Sequence, residues 1–173
     1  MRVLMDGDGC PVVGIAAEEC KKHHIECLVF CDTAHEMRRE DITLLTFDKG
    51  ADSVDYALAG RVGPGDIVVT QDYGVASMCL ARGALVLHQD GWEYTQWNID
   101  ALLLERHEAR KFRQSGGRTK GASKRKREQD QLFRQGRCRA EGRGNGVVEE
   151  GYDEPHTDAV DEGAKADVLA PEP

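Results

Sequence analysis

Apolar positions in the first 113 residues form short runs that switch between a period of about two and one of about 3.6. Val3-Leu4-Met5 is one such run, and it stops at Asp6-Gly7-Asp8-Gly9. A helix should follow. Pro11 suits its first turn, where the missing N–H costs nothing, and Val12, Ile15, Ala16 and Cys20 supply one apolar face. Residues 25–31 (IECLVFC) and 42–47 (ITLLTF) read as strands that end at Asp32 and Asp48. A helix over about residues 52–59 precedes the turn Gly63-Pro64-Gly65, and Ile67-Val68-Val69-Thr70 is the β-branched run of a buried strand. Residues 74–82 predict a helix and 84–87 a fifth short strand. Residues 96–113 predict a last helix with Ile99, Leu102, Leu103 and Phe112 on or near one face. Strands separated by helical segments imply right-handed crossovers and a mostly parallel sheet covered on both faces. The expected fold is a three-layer, Rossmann-like α/β domain of about five strands over residues 1–115.

The character changes after Arg113. Gly116-Gly117 breaks the helix, residues 123–135 (SKRKREQDQLFRQ) predict a short basic helix, and residues 139–146 (RAEGRGNG) read as a flexible linker. From Val147 onward acidic residues, Gly, Pro and Ala dominate without periodicity. The expected organisation is the domain at 1–115, a basic, partly helical extension at 116–143, and a disordered acidic tail at 144–173.

The formal charge of −8 arises from 23 basic and 31 acidic side chains, and by itself it disfavours a nucleic-acid partner. Its distribution changes that reading: residues 1–110 carry −9, residues 111–143 carry +9 and residues 144–173 carry −8. Within the positive segment, Arg113, Lys120, Lys124, Arg125, Lys126 and Arg127 are the expected contacts to the backbone of RNA or DNA, with salt-dependent and sequence-independent affinity. The competing reading is a solvated basic helix neutralised by the acidic tail. No apolar run approaches the ~20 residues of a membrane span, and the opening residues meet carboxylates too early for a signal peptide. Six cysteines with no sign of secretion read as reduced thiols, which implies a cytoplasmic protein. A zinc site from Cys27 and Cys31 with His23 or His24 is a weaker alternative, since no second cysteine pair accompanies it.

The carboxylates fall at the strand ends. Asp6 and Asp8 follow the first strand, Asp32 the second, Asp48, Asp52 and Asp55 the third, and Asp72 the fourth through Thr70 and Gln71. Open α/β sheets bind ligands at the carboxyl ends of their strands. Carboxylates converging there repel one another unless a hard cation such as Mg²⁺ or Mn²⁺ is present, and such a cluster suits phosphodiester hydrolysis. Asp is also a common helix cap, and Asp52 and Asp72 both precede expected helices, so a set of unrelated caps stays open. Asp66 reads as a turn residue on the opposite edge. Cys10, at the mouth of the first helix, and His88, at the end of strand five, are minor candidates. Trp92, Tyr94 and Trp97 would either stack on bases or pack the last helix onto the sheet.

Asp6-Gly7-Asp8-Gly9-Cys10-Pro11-Val12 resembles the D-x-D-x-C-P-V opening of the YaiI/YqxD family, bacterial proteins of uncharacterised function with a PIN-like fold. Gly50 to Tyr56 is similar to that family's G-x-D-x-x-D segment, and Gly65 to Asp72 to its G-D-x-V-I-T-x-D strand. Asn98-Ile99, Arg106, Arg113 and Gly116 resemble its N-I … R … R-x-x-G run, so that the likeness spans roughly residues 1–121. The resemblance implies a metal-dependent nuclease in which Asp6, Asp8 and Asp72 hold Mg²⁺ or Mn²⁺, Asp52 and Asp55 flank the ions, and Thr70 adds a hydroxyl. The chain departs from the pattern at Gly74, where proline is frequent, and at His88-Gln89-Asp90-Gly91, which replaces N-P-R-G and with it an expected arginine. Two other readings compete. One is a haloacid-dehalogenase-like phosphatase with Asp6 as nucleophile, Asp8 as acid/base, and Asp66, Asp72 and Lys49 as later motifs. The other is a non-catalytic nucleic-acid-binding module.

Overall fold

Elements fall where the apolar pattern changes period. The computed structural model describes residues 1–33, 39–48, 53–118 and 124–144. β1 spans Val3–Asp6, α1 Val13–His23, β2 Cys27–Asp32, β3 Thr43–Phe47, α2 Ser53–Arg61 and β4 Ile67–Val69. They are followed by α3 Tyr73–Leu80, β5 Leu85–Leu87, β6 Glu93–Tyr94, α4 Ile99–Gln114 and α5 Arg127–Gly144. The six strands form one sheet in the order β3-β2-β1-β4-β5-β6. Every pairing is parallel except β5 with β6. The sixth strand is a two-residue antiparallel addition at the edge, too short for the sequence pattern to reveal.

Alternation along the strands sorts the core into two layers. Leu4, Leu28, Phe30, Val68, Val86 and Tyr94 face Val54, Leu58 and Ala59 of α2, Val75, Ala76 and Cys79 of α3, and Ile99 of α4. Their neighbours Val3, Met5, Cys27, Val29, Ile67, Val69 and Leu87 face Val13, Ala16 and Cys20 of α1 and Phe133 and Ala140 of α5. The result is the expected three-layer α/β architecture, with α2, α3 and α4 on one face and α1 and α5 on the other.

Local chemistry sets the helix starts. Pro11 precedes α1 instead of opening it, and Val12 occupies the cap position. α4 starts at Ile99, after the position expected, and a reciprocal Thr95–Asn98 turn leads into it. The Thr95 N–H donates to Asn98 Oδ1 at 2.8 Å, and the Asn98 N–H to Thr95 Oγ1 at 3.2 Å. Phe112 does not share the inner face of α4 as expected, and is exposed.

α5 runs further than the basic stretch suggested. Residues 139–144, read as a linker, are helical, because Ala140 and Glu141 are buried and Glu141 pairs with the fully buried Arg137 one turn earlier. The helix sits close against the β5–β6 turn: a Cβ on Gly136 would lie 2.0 Å from the Gly91 carbonyl oxygen, and Gly91 (φ +88°) faces the backbone of Leu132. The extension placed at 116–143 thus packs onto the sheet through α5. Residues 145–173, which hold nearly all of the expected acidic tail, lie outside the described residues.

Candidate functional site

β2 and β3 build outward from one side of β1, and β4, β5 and β6 from the other. The strand order therefore reverses between β1 and β4, and the crevice at such a point opens at the strands' carboxyl ends. Asp6 closes β1 on the sheet face of Leu4. Thr70, immediately after β4, falls on the face of Val68, the same side. The Thr70 hydroxyl donates to Asp6 Oδ2 at 3.0 Å and accepts the Asp72 N–H at 3.0 Å. One buried hydroxyl thereby ties the end of β1 to the start of α3.

The glycine between the first two aspartates is dictated by space. A Cβ on Gly7 would lie 2.8 Å from Val29 Cγ1 and 2.9 Å from the Phe30 carbonyl oxygen, while the Gly7 N–H donates to that oxygen at 2.7 Å. The close approach to β2 carries the chain on to Asp8. The Asp8 N–H donates to Asp6 Oδ1 at 3.3 Å, and Asp8 Oδ1 accepts the Asp32 N–H at 3.2 Å.

The two principal carboxylates are in opposite electrostatic states. Burial pushes the Asp6 carboxyl above its ordinary value. The Thr70 hydroxyl and Asp8 amide pull it down, the Asp8 and Asp72 charges push it up again, and the net direction is up. Among the described residues no basic side chain pairs with Asp6. Asp72 is also pushed up by burial, but Arg106 and the α3 amides outweigh that and hold it below its ordinary value. Its Oδ1 caps α3, accepting from Gly74 N–H at 2.7 Å and Val75 N–H at 3.3 Å, and its Oδ2 takes Arg106 Nη1 at 2.9 Å. The Arg106 guanidinium lies 5.7 Å from the centre of the Tyr73 ring. Beneath them, the buried Tyr94 hydroxyl donates to the Thr70 carbonyl at 3.4 Å. The cap reading and the site reading of Asp72 are therefore both realised, one on each carboxylate oxygen.

Asp6, Asp8, Thr70 and Asp72 are brought together at one edge. Asp55 sits half-buried in the first turn of α2, and Asp52, Lys49 and Lys120 lie outside the described residues. Asp66 lies at the opposite edge, where Arg2 Nη2 pairs with its Oδ2 at 2.6 Å and the Gly63 amide donates at 3.1 Å. That location removes it from the role the phosphatase reading requires. Burial pushes the Cys10 thiol up to about 11, so it is not an activated nucleophile. His88 stacks on Trp92 with ring centres 4.6 Å apart, and its imidazole is pushed down chiefly by burial. Tyr94 is a core residue, whereas Trp97 is 89% exposed.

Much of the positive segment is used internally. Arg125 Nη1 pairs with Asp90 at 2.7 Å, its Nε pairs with Asp130 at 2.7 Å, and its Nη2 donates to the Gln89 carbonyl at 3.0 Å. Arg134 pairs with Glu19, Arg137 with Glu141 and Glu19, and Arg143 with Glu93. At Asp90, where the family resemblance led to the expectation of an arginine, Arg125 arrives instead from the segment just before α5. Lys124, Lys126 and Arg127 are exposed at the start of α5, and Arg113 is exposed on α4. The sequence reading missed Arg106 as a member of the site. Its signals were its place in the N-I … R … R-x-x-G resemblance and its position continuing the Ile99, Leu102, Leu103 face of α4, neither of which placed it beside Asp72.

Among the described residues no group of three or more His, Cys, Asp or Glu side chains is disposed to hold a metal ion. The donor chemistry still suits a hard cation at two carboxylates. Asp6 and Asp8 are joined through a hydrogen bond, Asp6 lacks a basic partner, and Thr70 adds a hydroxyl. Mg²⁺ is commonly bound by one or two carboxylates, with waters and phosphate oxygens completing its shell.

A doubly wound, mostly parallel α/β sheet with a carboxylate–hydroxyl cluster at its switch point defines the class. Within it, a family model described as "Uncharacterized BCR, YaiI/YqxD family" matches residues 4–137. The chain belongs to the YaiI/YqxD family. The UPF0178 protein of Ruminiclostridium cellulolyticum is 49% identical over 133 residues, covering 77% of this chain and 87% of the relative. That of Exiguobacterium sibiricum is 45% identical over 135 residues (78% and 92%), and that of Natranaerobius thermophilus 41% over 134 residues (78% and 91%). No solved structure matches the chain significantly. Among the described residues no helix is long and apolar enough to cross a membrane.

Proposed function

We propose that this protein is a PIN-like, divalent-metal-dependent nuclease that hydrolyses phosphodiester bonds of RNA or DNA at the β1/β4 switch point. The observation that carries the reading is Asp6. Its carboxylate is substantially buried at the sheet's carboxyl edge, fixed by Thr70 and adjoined by Asp8 and Asp72, and among the described residues no basic side chain offsets it. Such a group favours either a proton or a cation. Asp6 and Asp8 would hold Mg²⁺ or Mn²⁺, which supplies an activated water and offsets charge on the phosphate oxygens. Thr70 orients the Asp6 carboxylate, and Asp72 Oδ2 holds the Arg106 guanidinium, a group suited to a phosphate. Asp55, in the first turn of α2, would flank the ion as a water-orienting group.

The test is calorimetric titration of Mn²⁺ into wild type, Asp6→Asn and Asp72→Asn, followed by incubation with single-stranded RNA and DNA. Wild type should bind Mn²⁺ and cut. Asp6→Asn should lose both while keeping its circular dichroism spectrum. Full cleavage by Asp6→Asn, or wild type that neither binds Mn²⁺ nor cuts, overturns the reading.

A further inference from the structure

Helix α4 changes character halfway along one face. Ile99, Leu102 and Leu103 pack into the core beneath the first turns. Helical spacing continues the same face through Arg106, Ala109, Arg110 and Arg113. At about 100° per residue, Glu105 and Glu108 project about 100° and 160° away from Arg106. The direction of the face is fixed by Arg106: its Nη1 is 2.9 Å from Asp72 Oδ2, at the carboxyl edge beside Asp6 and Thr70. Beyond the body of the domain, this face is therefore arginine. Arg110 and Arg113 are exposed, and no carboxylate among the described residues pairs with them. Arg125, Arg134, Arg137 and Arg143 are each held by a carboxylate of the folded domain. Arg110 and Arg113 thus leave free positive charge along α4, leading away from the acidic site, while further exposed cations, Lys124, Lys126 and Arg127, sit at the start of α5.

We propose that Arg106, Arg110 and Arg113 form a track for the phosphodiester backbone of a single nucleic-acid strand, delivering it to the Asp6–Thr70–Asp72 site. The inference rests on the reading of that site as a phosphodiester hydrolase and names how its substrate is held. At 1.5 Å per residue the three side chains are rooted over about 10 Å, and the row is one arginine wide, which fits a single backbone. Guanidinium groups bind phosphate oxygens in bidentate fashion. A phosphate on Arg106 replaces Asp72 Oδ2 as its partner and leaves that carboxylate oxygen beside Asp6 open.

The experiment measures fluorescence anisotropy of labelled single-stranded RNA and DNA oligonucleotides with the full chain in EDTA, so that binding is read without cleavage, across a series of salt concentrations. Arg110→Gln/Arg113→Gln should bind about tenfold more weakly at low salt. Its plot of log affinity against log salt should be shallower by about 1.4, two contacts at about 0.7 each. Lys124→Gln/Lys126→Gln/Arg127→Gln should keep the wild-type slope. Equal losses for RNA and DNA, or a loss confined to one of them, support the track and identify the strand. An unchanged slope in the α4 variant, the same loss appearing in the α5 variant instead, or no salt-dependent binding by wild type overturns it. Cleavage with Mn²⁺ is scored separately. Strands held through Arg110 and Arg113 but never cut support the track and count against the hydrolase. Strands cut equally well by the α4 variant overturn the track alone.

Discussion

Thr70 joins two segments with a single oxygen, donating to Asp6 and accepting from the Asp72 amide. Replacing it with valine, nearly the same shape, leaves both groups without that partner and should lower stability by about 1–3 kcal/mol, with serine restoring much of the loss. The same change should push the Asp6 carboxyl further up, since the Thr70 hydroxyl pulls it down. Carboxyl titration by NMR reads that shift. The direction at Asp6 also fixes a stability profile. The folded state holds this proton more tightly than the unfolded chain, so wild type loses stability as pH rises from the ordinary carboxylate range through the raised value. In EDTA, Asp6→Asn should therefore melt above wild type at neutral pH, with the gap closing as pH falls below that window. A variant that melts lower at neutral pH contradicts the assignment. Asp6, Asp8 and Asp72 were legible because each closes or follows a strand. Arg106 was not, because its meeting with Asp72 depends on how α4 crosses α3, 34 residues away in sequence.

At the scale of the element, α3 and α5 are held in different ways. Asp72 caps α3 through Oδ1 and grips Arg106 through Oδ2. Asparagine preserves the cap and alanine does not, so Asp72→Ala should be less stable than Asp72→Asn by about 1 kcal/mol in thermal or urea unfolding. α5 is held by packing. Gly136 rests against the Gly91 carbonyl, and Phe133 is fully buried under the sheet. Gly136→Ala has no room for its methyl group and should cost about 1–3 kcal/mol. The displaced helix should show faster amide exchange along 127–144 than in the core strands. Equal exchange there would contradict the packing. The α/β alternation was legible in the apolar runs, since buried parallel strands and amphipathic helices differ in period. The continuation of α5 was not. Gly136, Gly142 and Gly144 argue against a helix locally, and the buried Arg137–Glu141 pair that stabilises it is a tertiary feature.

For the whole molecule the charge has a definite address. Residues 145–173 contain nine acidic and one basic side chain, so they carry the entire formal −8 and residues 1–144 sum to zero. Within the folded domain Asp90, Asp130, Glu19, Glu141 and Glu93 already neutralise Arg125, Arg134, Arg137 and Arg143. The paired arginines therefore do not need the last segment to balance them, and the charges left for it to screen include the exposed arginines of α4 together with Lys124, Lys126 and Arg127 at the start of α5. Removing residues 145–173 should leave the melting temperature near that of the full chain, because no buried residue in the described structure lies beyond Glu141. It should strengthen binding to single-stranded nucleic acid at low ionic strength, where the screening length is about 30 Å, and the gain should fade near physiological salt, where it is about 8 Å. Equal affinities at low salt would show that the terminal charge does not reach the arginine face. A gain that persists unchanged at high salt would point to steric exclusion instead of screening. A shortened chain with no net charge should also be less soluble near neutral pH, and a solubility series measured on the same samples checks that consequence independently of any ligand.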